Sequence, residues 1–141
     1  MRVLGIDHGQ VRIGLALSDP TATLASPFQV LIRRYRRKQD LAMLAKIAAE
    51  QRVEAIVIGL PLDQDGSVGK KAKEVMQFAD ALRLVTPIVV HLWDESYSTW
   101  EANQLLDQAG VSVHNRKMKI DMAAACVMLQ GWLDAQRRPQ G

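Results

Sequence analysis

Val3-Leu4-Gly5-Ile6-Asp7-His8-Gly9-Gln10-Val11-Arg12-Ile13-Gly14-Leu15-Ala16-Leu17 is the stretch on which the fold turns. A short apolar run ends in an acid, the chain turns at His8-Gly9-Gln10, and a second apolar run resumes from Val11. Two such runs about a short glycine-containing turn predict a β-hairpin. Pro20 ends the second strand, and Pro27 to Ile32 predicts a third. Three successive strands at the start of a chain predict a meander, the antiparallel part of a sheet.

Beyond the meander the period changes. From Gln39 to Arg52 the apolar residues Leu41, Leu44, Ala45, Ile47 and Ala48 recur at helical spacing. Ala55-Ile56-Val57-Ile58-Gly59-Leu60 is continuous and β-branched, the pattern of a strand covered on both faces. Pro61 stops it, and Asp63 to Ser67 is a polar loop. A second helix passes through Val75, Phe78, Ala79 and Leu82, and Ile88 to Leu92 is a fifth strand ending at Asp94-Glu95. Ser98-Thr99-Trp100-Glu101 has the form of a capping box, opening a helix to Ala109 that Gly110 stops. A basic loop from Ser112 to Lys119 then leads to a last helix, Ile120 to about Ala135. The order β-β-β-α-β-α-β-α-α predicts an α/β domain, a five-stranded mixed sheet flanked by helices.

The 141 residues suit one domain, placed at 1–136, with residues 137–141 as a fraying tail. Hydrophobic residues make up 48% and charged residues 23%, which excludes a disordered chain. No run approaches the roughly 18 apolar residues of a membrane span, and the first residues lack a signal peptide's apolar region, so the cytoplasm is expected. The single cysteine, Cys126, lies in an alanine-rich run and is expected to be a buried thiol.

Net charge is only +3, but the cations cluster. Arg33, Arg34, Arg36 and Arg37 form one group, Lys70 and Lys71 a second, and Arg116, Lys117 and Lys119 a third. Each alone is compatible with a solvated surface; three beside a set of carboxylates suit a phosphate backbone.

The acids fall at telling places. Asp7 closes the first strand, Glu95 follows the fifth, and Asp121 opens the last helix just before Ala123-Ala124-Ala125. In open sheets sites gather at the carboxyl ends of strands, so Asp7 and Glu95 can share a rim. Small residues at 123–125 let the helix come close. Carboxylates gathered there repel unless a cation intervenes, and Mg²⁺ or Mn²⁺, which prefer oxygen ligands, suit such a set. Two such ions can activate water and stabilise the leaving oxygen of a phosphodiester. Taken singly each acid also has an ordinary use, as a turn residue or helix-dipole partner, and spacing does not exclude Asp19, Asp63, Asp65 or Asp94. Gly5, Gly9 and Gly14 bracket Asp7 and Arg12, allowing backbone close to a phosphate or simply a tight hairpin.

Four blocks together carry a resemblance. Gly5-Ile-Asp7-His-Gly9-Gln-Val-Arg12-Ile-Gly14-Leu-Ala16-Leu-Ser18-Asp19, Gly59-Leu60-Pro61-Leu62 with Asp65-Gly66-Ser67, Asp94-Glu95-x-x-Ser98-Thr99 and Asp121-x-x-Ala124-Ala125 resemble, in order and spacing, the YqgF (RuvX) family. The resemblance implies an RNase H-like fold related to Holliday-junction resolvases. It implies a nuclease that matures the 5′ end of the 16S ribosomal RNA precursor, with Asp7, Glu95 and Asp121 as catalytic acids holding Mg²⁺ or Mn²⁺. Expected partners are pre-ribosomal RNA or structured DNA, ribosomal precursor particles, and at most a second copy of the chain; Gly9 and Arg12 join the basic clusters as nucleic-acid contacts. The family commonly has arginine after the glutamate, where this chain has Ser96, which removes one bidentate phosphate contact. A resolvase acting on DNA junctions, and a ribosome-assembly module that binds without cutting, are the alternatives. Sugar kinases and actin-like ATPases also place glycines around an Asp after the first strand, but they clamp a nucleotide between two such domains.

Overall fold

The computed structural model describes residues 1–33, 37–94 and 113–137, the side chains of 113–119 excepted. Five strands are described, β1 (Val3–His8), β2 (Arg12–Ser18), β3 (Ala25–Ile32), β4 (Ala55–Leu60) and β5 (Val89–Asp94), with three helices, α1 (Arg37–Glu50), α2 (Lys70–Val85) and α3 (Val113–Arg137). The strands form one sheet in the order β3-β2-β1-β4-β5. β1–β2 and β2–β3 are antiparallel and β1–β4 and β4–β5 parallel, so the meander and the crossovers meet at β1.

Alternation along the strands divides the interior in two. Leu4, Ile6, Ile13, Leu15, Ile56 and Ile58 face α1 and α2, with Leu44, Phe78 and Leu82 among the residues that cover them. Val3, Ala16, Ala55 and Val57 face the other way, onto Ala125, Met128, Leu129, Trp132 and Leu133 of α3. Covering both faces is why β4 needs no polar alternation. Odd-numbered residues of β1 therefore face α3 and even-numbered ones face α2, which decides the setting of Asp7 and His8.

The close packing of α3 depends on two glycines. A Cβ on Gly5 would stand 2.9 Å from Cβ of Leu129, and one on Gly14 would stand 2.1 Å from the carbonyl oxygen of Asp121. The Leu129 side chain thus occupies the space a side chain on β1 would fill, and the helix backbone at Asp121 the space of one on β2. Gly9 answers a different need: its N–H donates to the Arg12 carbonyl across the turn at 3.0 Å, and a Cβ would collide with that same oxygen.

Several boundaries differ from the sequence expectation. The segment Ser112–Lys119, expected as a basic loop, is helical from Val113, so Arg116, Lys117 and Lys119 belong to α3. Its first turns lack an apolar stripe, and periodicity registers only packed turns. α1 starts at Arg37, and β3 starts at Ala25 despite Pro27, which an edge strand with a register shift opposite tolerates. α3 reaches Arg137, one residue into the expected tail. The capping box at Ser98 and the helix it was to open lie outside the described residues.

Candidate active site

Asp7 lies at the carboxyl end of β1 on the α3 face, half-buried, directly opposite Gly14 of β2. Residues so paired have Cα atoms about 4.5–5.5 Å apart. Gly14 is also the residue against which the Asp121 backbone lies. Gly14 thus has Asp7 as its cross-strand partner and Asp121 above it, and two acids separated by 114 positions in sequence share one corner of the sheet. β5 stands two strand spacings from β1, roughly 10 Å. Between them is β4, whose Gly59 pairs with Trp93 and has no side chain. Glu95, the third expected acid, and its neighbour Ser96 lie outside the described residues. Among those described, no group of three or more histidine, cysteine, aspartate or glutamate side chains is placed to hold a metal.

Arg12, at the start of β2 on the same face, donates from Nε to Oδ2 of Asp121 at 2.6 Å. Both side chains are mostly buried, 29% and 23% exposed, so this is a short charge-assisted contact in a partly dry corner. A shallow depression of about 320 Å³ opens beside the pair and is lined also by Gly9, Gln10 and Lys71.

Three of the four alternative acids are occupied elsewhere, while Asp94 closes β5. Asp19 lies past the far end of β2, at the opposite rim, and accepts from the Thr21 hydroxyl and from the backbone N–H groups of Thr23 and Leu24. Those bonds hold its carboxyl far below the usual carboxylate range. Asp65 accepts from the N–H of Ser67 and is lowered by Ser67 likewise, while the Ser67 hydroxyl donates to Asp63 at 3.4 Å. These three organise turns.

His8 points away from Asp7. It packs on Phe78 of α2, ring centroids 4.4 Å apart, on the face covered by α1 and α2. Burial first, then the Arg33 charge, lower its imidazole to about 4, against a raising hydrogen bond to its own backbone and with a smaller push from Arg37. Its Nε2 is buried and has no hydrogen-bond partner. Strand alternation is the signal in the sequence that separates His8 from Asp7.

Of the basic clusters, Arg33 and Arg37 line a cleft with His8, and Lys71 lines the ground between that cleft and Arg12. Lys70 opens α2. Arg34 and Arg36 lie outside the described residues, as do the side chains of Arg116, Lys117 and Lys119. His91 and Trp93 pack under α3, His91 with its ring 5.4 Å from Trp132, so both serve the core. Cys126 is half-buried, its thiol donates to the Ala25 carbonyl, and burial pushes its pKa up. Among the described residues no helix is long and apolar enough to cross a membrane.

A five-stranded mixed sheet with a long helix laid over an acid at the end of its first strand defines the RNase H-like class. Solved structures agree on the fold. Thermus thermophilus RuvC in complex with a Holliday junction substrate superimposes with a TM-score of 0.60, at 16% identity, over 96% of this chain and 95% of that one. The Fowlpox virus resolvase with its Holliday junction DNA gives 0.61, at 11% identity, over 98% and 100%. Within that class the chain belongs to the family described as "RuvX: Holliday junction resolvase", whose pattern matches residues 1–135. A relative from Myxococcus xanthus (strain DK1622), 45% identical over 139 residues, 99% of this chain and 91% of its own length, carries the name "Putative pre-16S rRNA nuclease".

Proposed function

We propose that this chain is a divalent-metal-dependent nuclease that hydrolyses phosphodiester bonds in RNA, maturing the 5′ end of the 16S ribosomal RNA precursor in the cytoplasm. The observation that carries the reading is the meeting of Asp7 and Asp121 at Gly14, in a chain of this family. The name its relatives carry favours RNA over DNA.

The donor set suits a hard cation. Asp121 already holds the positive Arg12 Nε at 2.6 Å, so the corner accepts positive charge. Glu95 follows β5 directly in sequence, and membership of this family supports it as the third acid with Asp7 and Asp121. These three would hold Mg²⁺ or Mn²⁺, which when bound supplies an activated water and a counter-charge for the leaving oxygen. Arg12, displaced from Asp121, would pair with a phosphate oxygen next to the reacting bond. Gly9 leaves the turn backbone open, and Lys71 neutralises the adjoining phosphate.

One specific observation favours a second reading, a nuclease of branched DNA: the description of the family itself. Both readings are tested by offering purified protein labelled pre-ribosomal RNA, single-stranded DNA and four-way junctions, with Mg²⁺ or Mn²⁺. RNA should be cut, and Asp7→Asn should abolish cutting while leaving the fold and RNA binding in place. Cutting by the Asp7→Asn protein at the parental rate would assign the activity to something else. Binding without metal-dependent cutting would leave the non-catalytic assembly module.

A further inference from the structure

Among the described residues one acid is buried, and it is not at the active corner: Asp40, in the first turn of α1, is 8% exposed. A carboxylate so placed is costly unless a cation answers it, and a helix N-terminus alone answers it weakly. The cation is Arg33, whose Nε faces the Asp40 carboxylate at 3.5 Å. With the two side chains 22% and 11% exposed, the pair is largely withdrawn from solvent, and each charge holds the other in place.

Arg33 meets the β1–β2 turn at two further points. A terminal nitrogen donates to the Gly9 carbonyl at 3.0 Å. Its backbone N–H donates to the Val11 carbonyl at 2.8 Å, one step past the last β2–β3 pair, Arg12 with Ile32. Gly9 in turn donates to the Arg12 carbonyl at 3.0 Å. Three carbonyls of the turn are thus engaged, two of them by one residue outside the hairpin. Little else holds the turn: Gln10 is exposed and Val11 is 55% exposed, so packing contributes little there. Yet the turn leads directly into the active corner. Arg12 closes it and bonds Asp121, and Gly14, two positions on, faces Asp7. Arg33 lines the cleft at His8 and not the depression that Gly9, Gln10, Arg12 and Lys71 line beside Asp121, so it reaches the turn from the other face of the sheet.

We infer that Arg33, anchored by Asp40, is a positioning residue of the nuclease site: from behind the sheet it fixes the β1–β2 turn, and through the turn the places of Arg12 and Gly14 beside Asp121. Arg33 thereby differs from the other clustered cations, because its guanidinium serves two acceptors of the protein itself and contacts no phosphate. A planar fork suits that task, since it can face a carboxylate from one nitrogen and a carbonyl from another at once. The inference rests on the nuclease reading for its effect on rate; the tether of the turn is independent of what the site cuts.

Three variants separate positioning from contact: Arg33→Ala, Arg33→Lys and Asp40→Asn. Each is assayed for cleavage of saturating labelled RNA with Mn²⁺, for RNA affinity and its salt slope by anisotropy in chelator, and for amide exchange. Arg33→Ala should lower the saturated rate about tenfold to a hundredfold, the effect of a misplaced reacting group. Its affinity should stay within about twofold and its salt slope unaltered, because every phosphate-contacting charge remains. A slope lower by about one with the rate preserved would make Arg33 a phosphate contact and overturn the inference. Arg33→Lys keeps the charge without the fork and should not restore the parental rate; full recovery would overturn the two-point tether. Asp40→Asn should slow cutting at unchanged affinity, whereas tighter RNA binding would mean that Asp40 had been withholding Arg33 from the strand. Exchange is read without cleavage: the Gly9 amide should exchange about threefold to tenfold faster in Arg33→Ala, the usual worth of one hydrogen bond, while Thr23 and Leu24 at the opposite rim keep the parental rate. Faster exchange with unchanged cutting would leave the tether without a positioning role. Should Arg33→Ala fail to fold, Asp40→Asn supplies the same comparison. Should the parent cut no RNA, the nuclease reading falls, and Gly9 exchange still decides the tether.

Discussion

The carbonyl oxygen of Asp121 lies where a β-carbon on Gly14 would be, 2.1 Å from that ideal position. Since Gly14 pairs with Asp7 across the hairpin, this one contact sets how near the two acids stand.

Gly14→Ala should therefore damage both stability and chemistry. The obstructing atom is backbone, so α3 must shift as a unit, and overpacking of this kind costs about 1–3 kcal/mol. A shift that carries Asp121 away from Asp7 should also lower cleavage more than tenfold. Gly66→Ala is the control: with φ at 83° and open space around its Cβ it should cost about 1 kcal/mol of backbone strain and leave cleavage unchanged. Thermal melts and initial rates for the two variants decide the matter. A Gly14→Ala chain with parental melting and parental rate would mean that the helix contact does not set the site.

Arg12 and a divalent cation should compete for Asp121. With Nε 2.6 Å from Oδ2 in a partly buried setting, the ion pair must open for a metal to use that oxygen. Arg12→Gln should accordingly bind Mn²⁺ about threefold to tenfold more tightly, the usual worth of a charge-assisted contact of this exposure. The same variant should bind RNA more weakly, with a salt slope lower by about one. Calorimetric titration with Mn²⁺ gives the first number and anisotropy the second. An unchanged Mn²⁺ affinity would mean that Asp121 is not a ligand.

How far the chain could be read before its structure follows from which features are local. The hairpin, the continuous β4 and the stripes of α1 and α2 are periodic over short windows, and all four stand where periodicity put them. The start of α3 did not, because Asn115, Arg116, Lys117 and Lys119 interrupt any apolar stripe ahead of Ile120. Asp7 and Asp121 were legible as acids in unusual positions, yet only half of the means of their meeting was. Ala124 and Ala125 are buried, as their size suggested, but Gly5 and Gly14 across the interface are equally needed to accept the helix, and Gly9 forms the turn. The cleft at His8 depends on β1, α1 and α2 converging, and no local pattern announces it.

Leu129 is the side chain that seats α3, fully buried with its Cβ against Gly5. Leu129→Ala leaves a cavity among Val3, Val57 and Trp132 and should cost about 3 kcal/mol, whereas Leu84→Ala, at a position 88% exposed, should be nearly silent. Because the same helix presents Asp121, Mn²⁺ affinity should fall with Leu129→Ala even under conditions where the chain stays folded. Urea unfolding monitored by Trp fluorescence gives the first effect. A loss below about 1 kcal/mol would mean that the helix repacks freely over the glycines.

Acid should loosen the rim farthest from the active corner first. Asp19 accepts from the Thr21 hydroxyl and from the N–H groups of Leu24 and Thr23, in that order of effect, and these lower its folded pKa far below the ordinary 3.8. A carboxyl depressed in this way adds stability that is fully present above its unfolded pKa. The contribution drains as pH falls through and below about 4, because the unfolded chain takes up the proton first. The loop from Asp19 to Leu24 ties the end of β2 to β3, so protonation should release those amides before the sheet gives way. Asp19→Asn removes the titrating group while keeping one acceptor oxygen. Its melting temperature should lie below that of the parent at neutral pH, and the gap should close as pH is lowered through 4 to 2. Hydrogen exchange at Thr23 and Leu24 should quicken in the parent over the same interval. A gap that stays constant with pH would show that Asp19 gains nothing from its charge in the folded chain, and that its bonds serve geometry alone.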